Sequence, residues 1–416
     1  MKNNPFSSDV FSATWLMHFN PGKAGLKFDI FPDLGFVKHR FLPLCYNIGK
    51  TLTKGISYTL LPNNAKEYKN KVFLIYDVPT YFELDPAPVG KLKLIRIKQY
   101  PGFLIGLEKY KDFNDYMLTT YSKSSRYKLN KYKKKLEQCF DIEYKMFYGE
   151  MSKNEYDEVF DHFKVLLEKR FSDKQITNNN LHPDEWNFYN EVAYPMILEK
   201  KASLFVIYDG GKPIGITLNY FSDSVLFDAI TVFDIDYAKF HLGSVTVMKL
   251  IEWCLEHKLK IFDFSKGEFD YKKRWANKAY DFEYHLYYNS ASVTATVMAF
   301  GIKSFYSLKQ TLRERKLNEV FHRLSFRLRS GSNKKDPGLP YEFSETEQEY
   351  KLEDLVQMDC KSPENQFLKN IVFDFLYLNN EVYSDLKIHA INTDNRAFLF
   401  SGKTKNVKVT LCKPAI

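Results

Sequence analysis

Two stretches of the sequence hold residues whose types and spacing could do chemistry. The first is Asp263-Phe264-Ser265-Lys266-Gly267-Glu268-Phe269-Asp270-Tyr271-Lys272-Lys273-Arg274-Trp275. Asp263 closes an apolar run that reads as a buried strand, Gly267 breaks the chain, and carboxylates, a tyrosine and cations then crowd together. A general base is a carboxylate or histidine held near the nucleophile, and a tyrosine can serve as the general acid. Asp263, Glu268, Asp270 and Tyr271 are therefore candidates. The same residues would equally make a salt-bridged helix start, with Glu268 and Asp270 against Lys272, Lys273 and Arg274. The second stretch, Asp234-Ile235-Asp236-Tyr237-Ala238-Lys239-Phe240-His241-Leu242-Gly243-Ser244, lies between a strand-like run and a helical one. A glycine-containing turn that opens a helix leaves backbone N–H groups unpaired, and these attract phosphate together with the helix dipole. Lys239 and His241 add donors, and Ser244 could cap the helix or bond a phosphate oxygen. Most strand–turn–helix junctions with one glycine bind nothing.

The elements around these stretches follow from periodicity. LFVIYDGGKPIGITLNYF holds two apolar runs joined by Asp209-Gly210-Gly211-Lys212, the strongest short-range hairpin signal. SVLFDAITVF reads as a third strand, LGSVTVMKLIEWCLEHK as a helix with Val247, Met248, Ile251 and Leu255 inward, LKIFDFS as a buried strand and FEYHLYY as a last one. Upstream, residues 122–138 form a basic amphipathic helix with Leu129, Tyr132 and Leu136 on one face; Arg126 and its neighbouring lysines either bridge two lobes in solvent or meet an anionic substrate. Helical patterns also cover 152–171 and 183–200, the second opened by Pro183 and ended or kinked by Pro195. Residues 1–20 carry a first helix, and the short runs up to 115, broken by Pro and Gly, read as strands. Residues 296–330 read as one or two basic helices, followed by the polar break SGSNKKDPGLP and a small module over the last 80 or so residues. The expected division is 1–120, a helical connection 121–200, 201–295, the basic helices and linker 296–336, and 337–416.

Composition narrows the function. The chain has 416 residues, 44% hydrophobic and 17% aromatic, which is enough to bury a core, and its formal net charge of +9 favours anionic partners. The five cysteines are far apart without a CxxC pair, as expected of buried thiols in a reducing compartment; neither a membrane span nor a secretory signal is read, and the expected location is cytoplasmic. The nine histidines show no metal-ligand spacing, no GxSxG elbow suggests a serine hydrolase, and no RNP-like strand or zinc finger suggests an RNA-binding module, although nucleic acid is not excluded. No metal site is expected.

Both stretches, in this order of elements, resemble the GNAT acetyltransferase superfamily, and more narrowly its cellulose-biosynthesis-type branch, related to the Fem-type aminoacyltransferases. The branch opens its cofactor helix with a Tyr-x5-Gly loop, here Tyr237 to Gly243, and follows the next strand with Phe-x2-Gly-x3-Tyr-Lys, here Phe264, Gly267, Tyr271 and Lys272. The basic helix around Arg126 and the opening NPFSSDVFSATWL are similar too. The resemblance covers about residues 5–290 and is strongest over 200–288. It implies a mixed α/β fold of two tandem GNAT-like lobes, with the C-terminal module outside it. It implies an acyl thioester, acetyl-CoA or a longer acyl-CoA, held where strands 225–233 and 259–265 splay apart, with its pyrophosphate on Lys239, Phe240, His241, Leu242, Gly243 and Ser244. The loop has fewer glycines than the usual superfamily phosphate loop. Asp263 or Asp228 would be the base and Tyr271 the acid or orienter, while Lys272, Glu268 and Arg126 would contact the substrate.

Three functions compete. The first is acyl transfer to an amine acceptor, for example an amino sugar of a surface polysaccharide. The second is a Fem-type transferase that uses aminoacyl-tRNA. The third is a non-catalytic relative whose basic surface binds a polyanion.

Overall fold

The computed structural model describes residues 3–61, 66–82, 90–174, 179–314, 340–345, 350, 352–360, 362–392 and 394–412. Helix α1 (Asp9–Phe19) is capped by the Ser8 hydroxyl, which accepts from the Phe11 N–H, and it buries Phe11 and Trp15. Five strands follow: β1 (Leu26–Lys27), β2 (Gly35–Lys38), β3 (Leu44–Asn47), β4 (Val72–Pro79) and the long β5 (Leu92–Gly106). Helices α2 (Phe113–Thr120) and α3 (Lys123–Cys139) lead to β6 (Ile142–Phe147), α4 (Lys153–Lys174) and α5 (Pro183–Leu198). Helix α5 runs through Pro195 and stops three residues later, where the Glu199 N–H closes onto the Pro195 carbonyl.

The hairpin of β7 (Ala202–Asp209) and β8 (Lys212–Phe221) turns on Gly210 and Gly211, both at positive φ, as a two-residue turn with right-handed strand twist requires. Then come β9 (Val225–Phe233), a 3-10 turn Ile235–Phe240, α6 (Leu242–Glu256), β10 (Ile261–Lys266), α7 (Asp270–Trp275), β11 (Lys278–Asn289) and α8 (Val293–Glu314). The basic stretch expected over 296–330 is therefore helical to Glu314; its remainder and the expected linker lie outside the described residues.

These eleven strands form one sheet in the order β1-β2-β3-β4-β11-β5-β10-β9-β8-β7-β6. Every neighbouring pair is antiparallel except β3/β4 and β9/β10. Each half thus repeats one plan, antiparallel strands followed by one parallel step, and the halves interlock. Strand β5 of the first half pairs with β10 of the second, while β11 of the second is inserted between β4 and β5. The main core, with Phe11, Trp15, Phe73, Phe188 and Tyr220, draws on both halves.

The C-terminal part is a five-stranded antiparallel sheet of β12 (Tyr341–Glu345), β13 (Leu355–Met358), β14 (Lys387–Ile391), β15 (Asp394–Ser401) and β16 (Asn406–Leu411), crossed by α9 (Lys369–Asn379). Its helix packs onto α3 and the 3-10 turn, where the Phe373 ring meets Phe140, Tyr237 and Phe240. Cys45, Cys139 and Cys254 are buried free thiols, and Cys360 and Cys412 are half-buried.

Candidate active site

Strands β9 and β10 pair over three residues, Val225–Phe227 against Ile261–Asp263, and then separate. Both strands are deformed at the point of separation. In β9 the register against β8 slips between Asn219↔Asp228 and Leu218↔Ile230, so Ala229 stands opposite no residue; such a bulge re-aims the strand and leaves the extra residue out of the ladder. In β10 Ser265 takes a left-handed conformation (φ +59°), and the register against β5 slips between Asp263 and Lys266.

The Asp263 carboxylate holds that second bulge. It accepts the Ser265 N–H at 2.7 Å, the Tyr81 hydroxyl at 2.7 Å and the Tyr280 hydroxyl at 2.7 and 2.8 Å. The side chain is fully buried. Burial outweighs these donors and pushes the carboxyl up to about 6. On the other side of the bulge, Lys272 of α7 donates its ammonium to the carbonyls of Ser265 (3.3 Å) and Lys266 (2.7 Å). Burial lowers this lysine to about 8, against the pull of Asp228 and Asp263.

Groups from both halves face one another around the opening. Asp228 is nearly buried and accepts the Thr231 hydroxyl at 2.7 Å. Burial raises its carboxyl, while Thr231, Lys272 and Lys54 act in the opposite sense. The Tyr271 hydroxyl is raised first by burial and then by Asp228, with Arg170 opposing. Lys54, in the loop before β4, is lowered to about 8 by burial and by Lys266, with Asp77 working against them. Asp77 (φ +64°) pairs with Lys266 at 2.6 Å and accepts the Thr53 hydroxyl at 2.8 Å. Glu185 of α5 is raised by burial and lowered by Lys54. On β8, Asn219 sits directly opposite Asp228 and gives its amide N–H to Ser203; among the described residues its buried carbonyl oxygen has no partner. A strand separation lined by a carboxylate, a tyrosine and two lysines of depressed pKa has the makings of a proton-transfer site.

Residues 123–273 match the family model of the acetyltransferase (GNAT) domain. The match runs from α3 into α7, so it contains Asp228, Tyr271, Lys272 and the N-terminus of α6, while Lys54 and Asp77 lie outside it. No curated protein matches the chain. Among solved structures the chain is similar to FemX (11% identity, TM-score 0.44, covering 68% of this chain and 92% of that one). It is also similar to the C-terminal DUF2156 domain of a putative lysylphosphatidylglycerol synthetase from Agrobacterium fabrum (9% identity, TM-score 0.41, 72% and 92%). A third is a tandem GNAT protein from the clavulanic acid biosynthesis pathway (7% identity, TM-score 0.32, 61% and 77%). The fold is mixed α/β: two interlocked halves of one eleven-stranded sheet, with the match to the GNAT domain model running from α3 into α7, followed by a small C-terminal sheet.

The structure brings Asp228, Tyr271 and Lys272 around the opening and sets the other expected residues apart. Asp263 has its oxygens engaged and no exposed surface, so it is out of reach of a substrate. Glu268 is exposed and paired with Lys273 at 2.5 Å. Arg126 donates to the Tyr121 and Leu118 carbonyls at the end of α2, where it caps that helix. Of the six loop residues, Phe240 and Leu242 are core side chains, and Lys239 is paired with Asp374 of α9 at 2.5 Å. His241 takes the left-handed conformation (φ +53°) as N-cap, makes no side-chain cap bond, and stacks on Tyr132 of α3 at 3.7 Å. Gly243 abuts the Phe233 ring, which a Cβ would meet at 2.7 Å, so this glycine lets α6 close onto β9. Ser244 is half-buried in the first turn of α6, where its own N–H and that of Val245 bond the His241 carbonyl at 2.8 and 3.2 Å. Sequence reasoning missed Lys54, Asp77, Arg170, Thr231 and Glu185. Isolated among ordinary loop, strand and helix residues, they carry no spacing signal, and only the interlocked sheet gathers them.

Proposed function

We propose that the protein is an N-acyltransferase that moves an acyl group from acyl-CoA, acetyl-CoA first, to an amine. The observation that carries this reading is the separation of β9 from β10 beside the N-terminus of α6, within the stretch that matches a GNAT acetyltransferase domain. The residues present fit a thioester donor. The bulge at Ala229 offers backbone groups outside the ladder, and the N-terminus of α6 offers N–H donors for a phosphate.

In this reading the amine attacks the thioester carbonyl, the C–N bond forms, the C–S bond breaks, and the thiolate leaves with a proton. Asp228 takes the proton from the amine; burial has raised its carboxyl toward the range in which a base both holds and releases a proton. Tyr271 supplies a proton to the leaving thiolate. Asp263 and Lys272 are positioning residues that hold the bulged end of β10 open. Lys54 and Lys266 favour an acceptor that carries a negative group near its amine. The two motifs, which resemble those of the cellulose-biosynthesis-type branch, make an amino sugar of a surface polysaccharide the first acceptor to assay.

Calorimetric titration with acetyl-CoA and longer acyl-CoAs tests the donor, with Ser244→Glu as the variant. A carboxylate in the first turn suits the helix dipole and leaves the fold intact, but it repels a phosphate. Saturable binding to the wild type that Ser244→Glu abolishes, with an unchanged melting temperature, is the expected result. No binding of any acyl-CoA to the wild type overturns the proposal.

A further inference from the structure

Helix α8 packs one face onto the sheet through Ala295, Ala299, Ile302 and Tyr306. Its opposite face carries six large apolar side chains among the small residues Thr294, Gly301, Ser304 and Thr311. Val293, Val297, Phe300, Phe305, Leu308 and Leu312 are exposed, from 41% at Leu312 to 79% at Val293. At 100° per residue these six side chains span an arc of about 140°, centred opposite the buried alanines, and at 1.5 Å per residue they run along about 28 Å of the helix. Lys303 and Lys309 fall on the two flanks of that arc. No Asp or Glu occurs between Val293 and Arg313; Glu314 ends the helix, and the sequence goes on with Arg315, Lys316, Arg323, Arg327 and Arg329 against Glu319.

A second exposed group lies at the same end of the sheet. Leu44 pairs with Val72 and Val72 with Tyr288, so the turn before β3 sits near the start of α8. That turn presents Phe41, 79% exposed, with the Arg40 guanidinium over its ring, and the exposed Leu42.

We propose that this face of α8 docks on the surface of an anionic phospholipid bilayer, with its apolar side chains in the headgroup boundary and Lys303 and Lys309 on lipid phosphates. Apolar residues facing outward, with lysines on both flanks and a single acid, Glu314, at the very end of the helix, are the pattern of a helix that lies in a membrane interface. Charge decides against a second copy of the chain as the occupant. Two α8 helices laid face to face would bring four lysines together with no carboxylate on the face to pair them. Docking of this kind needs no membrane-crossing segment, and no described helix is long and apolar enough to be one.

The test is flotation of the full chain with vesicles of phosphatidylcholine alone and of phosphatidylcholine mixed with phosphatidylglycerol, at low and high salt. Its variants are Phe305→Ser/Leu308→Ser and Lys303→Glu/Lys309→Glu. The wild type is expected to float with the mixed vesicles and not with the neutral ones, and to come off as salt rises. Each double variant is expected to bind at least about tenfold more weakly with an unchanged melting temperature, because the altered side chains are exposed. Three results would overturn the proposal. One is wild type that ignores the mixed vesicles, and another is a Phe305→Ser/Leu308→Ser chain that floats as well as wild type. The third is a wild-type dimer, or a loss of melting temperature in that variant, which would show the face to be covered by protein.

Discussion

Replacing Asp263 by asparagine removes a buried charge with little change of shape, and its effect on stability can be worked from the structure. Burial raises the carboxyl from 3.8 to about 6 although three groups donate to it. That difference corresponds to about 3 kcal/mol between the two protonation states. The sign follows from linkage. The folded protein binds this proton more tightly than the unfolded chain, so the group's stabilising contribution is complete below the unfolded value and is lost as pH rises through about 6. The amide keeps a carbonyl oxygen for the Ser265 N–H, and the Tyr81 and Tyr280 hydroxyls can turn to accept from its NH2. Asp263→Asn is therefore expected to change the pH dependence more than the fold. The assay is urea unfolding of wild type and variant at constant ionic strength across pH about 4 to about 7, with the difference in ΔG taken at each pH. Wild type should lose up to about 3 kcal/mol relative to Asp263→Asn across that window. A difference that is flat with pH, or that grows in favour of wild type, would refute the assignment of a raised carboxyl at this position.

Lys272 should show the mirror effect. Burial lowers it from 10.5 to about 8, so wild type gains stability as pH rises through the interval between those values, and Lys272→Met should keep only the share owed to Lys54 when the two are compared by the same unfolding assay. Gly102 pairs with Tyr280, and a Cβ there would meet the ring at 2.3 Å, so Gly102→Ala should cost about 1–3 kcal/mol through overpacking and the displaced hydroxyl. In a Tyr280→Ala background that cost should vanish, and an unchanged cost in the double-mutant cycle would show that the ring is not its source.

Much of the second half can be read directly from the sequence. The Asp209-Gly210-Gly211-Lys212 hairpin, the strand–helix–strand run through α6 and the basic helix α3 all rest on local signals: turn chemistry, a 3.6-residue period and a capping serine at 122. Tyr271 and Lys272 entered the candidate list through a motif and Asp228 as one of two bases implied by the family resemblance, and the fold brings the three to one opening. Other features are invisible along the chain because they depend on pairing across long separations. The motif's Tyr237 reads as part of a phosphate loop, yet its hydroxyl bonds Asp209 at 2.6 Å and its ring packs in the core. Lys239 looks like a free cation until α9, more than a hundred residues later, supplies Asp374. Asp263 looks like a base until burial and two tyrosines, Tyr81 just after β4 and Tyr280 on β11, surround it.

The exchange of strands explains why those tyrosines are where they are. Tyr81 follows β4, in the first half, and Tyr280 lies on β11, in the second, yet both hydroxyls converge on the carboxylate that holds the bulge of β10. They can do so because β11 is inserted between β4 and β5, and because Gly102 on β5 leaves room for the Tyr280 ring to lie across the strand toward Asp263. Lys266, two residues past the point where the bulge begins, then reaches back to Asp77 on β4. The separation of β9 from β10 is thus held open by contacts between the halves, and Lys54 of the first half comes to face Asp228 of the second by the same arrangement. An opening built in this way cannot be assembled by residues 123–273 alone: the matched stretch carries Asp228, Tyr271 and Lys272, but Tyr81, Tyr280, Asp77 and Lys54, which brace and charge the opening, lie outside it.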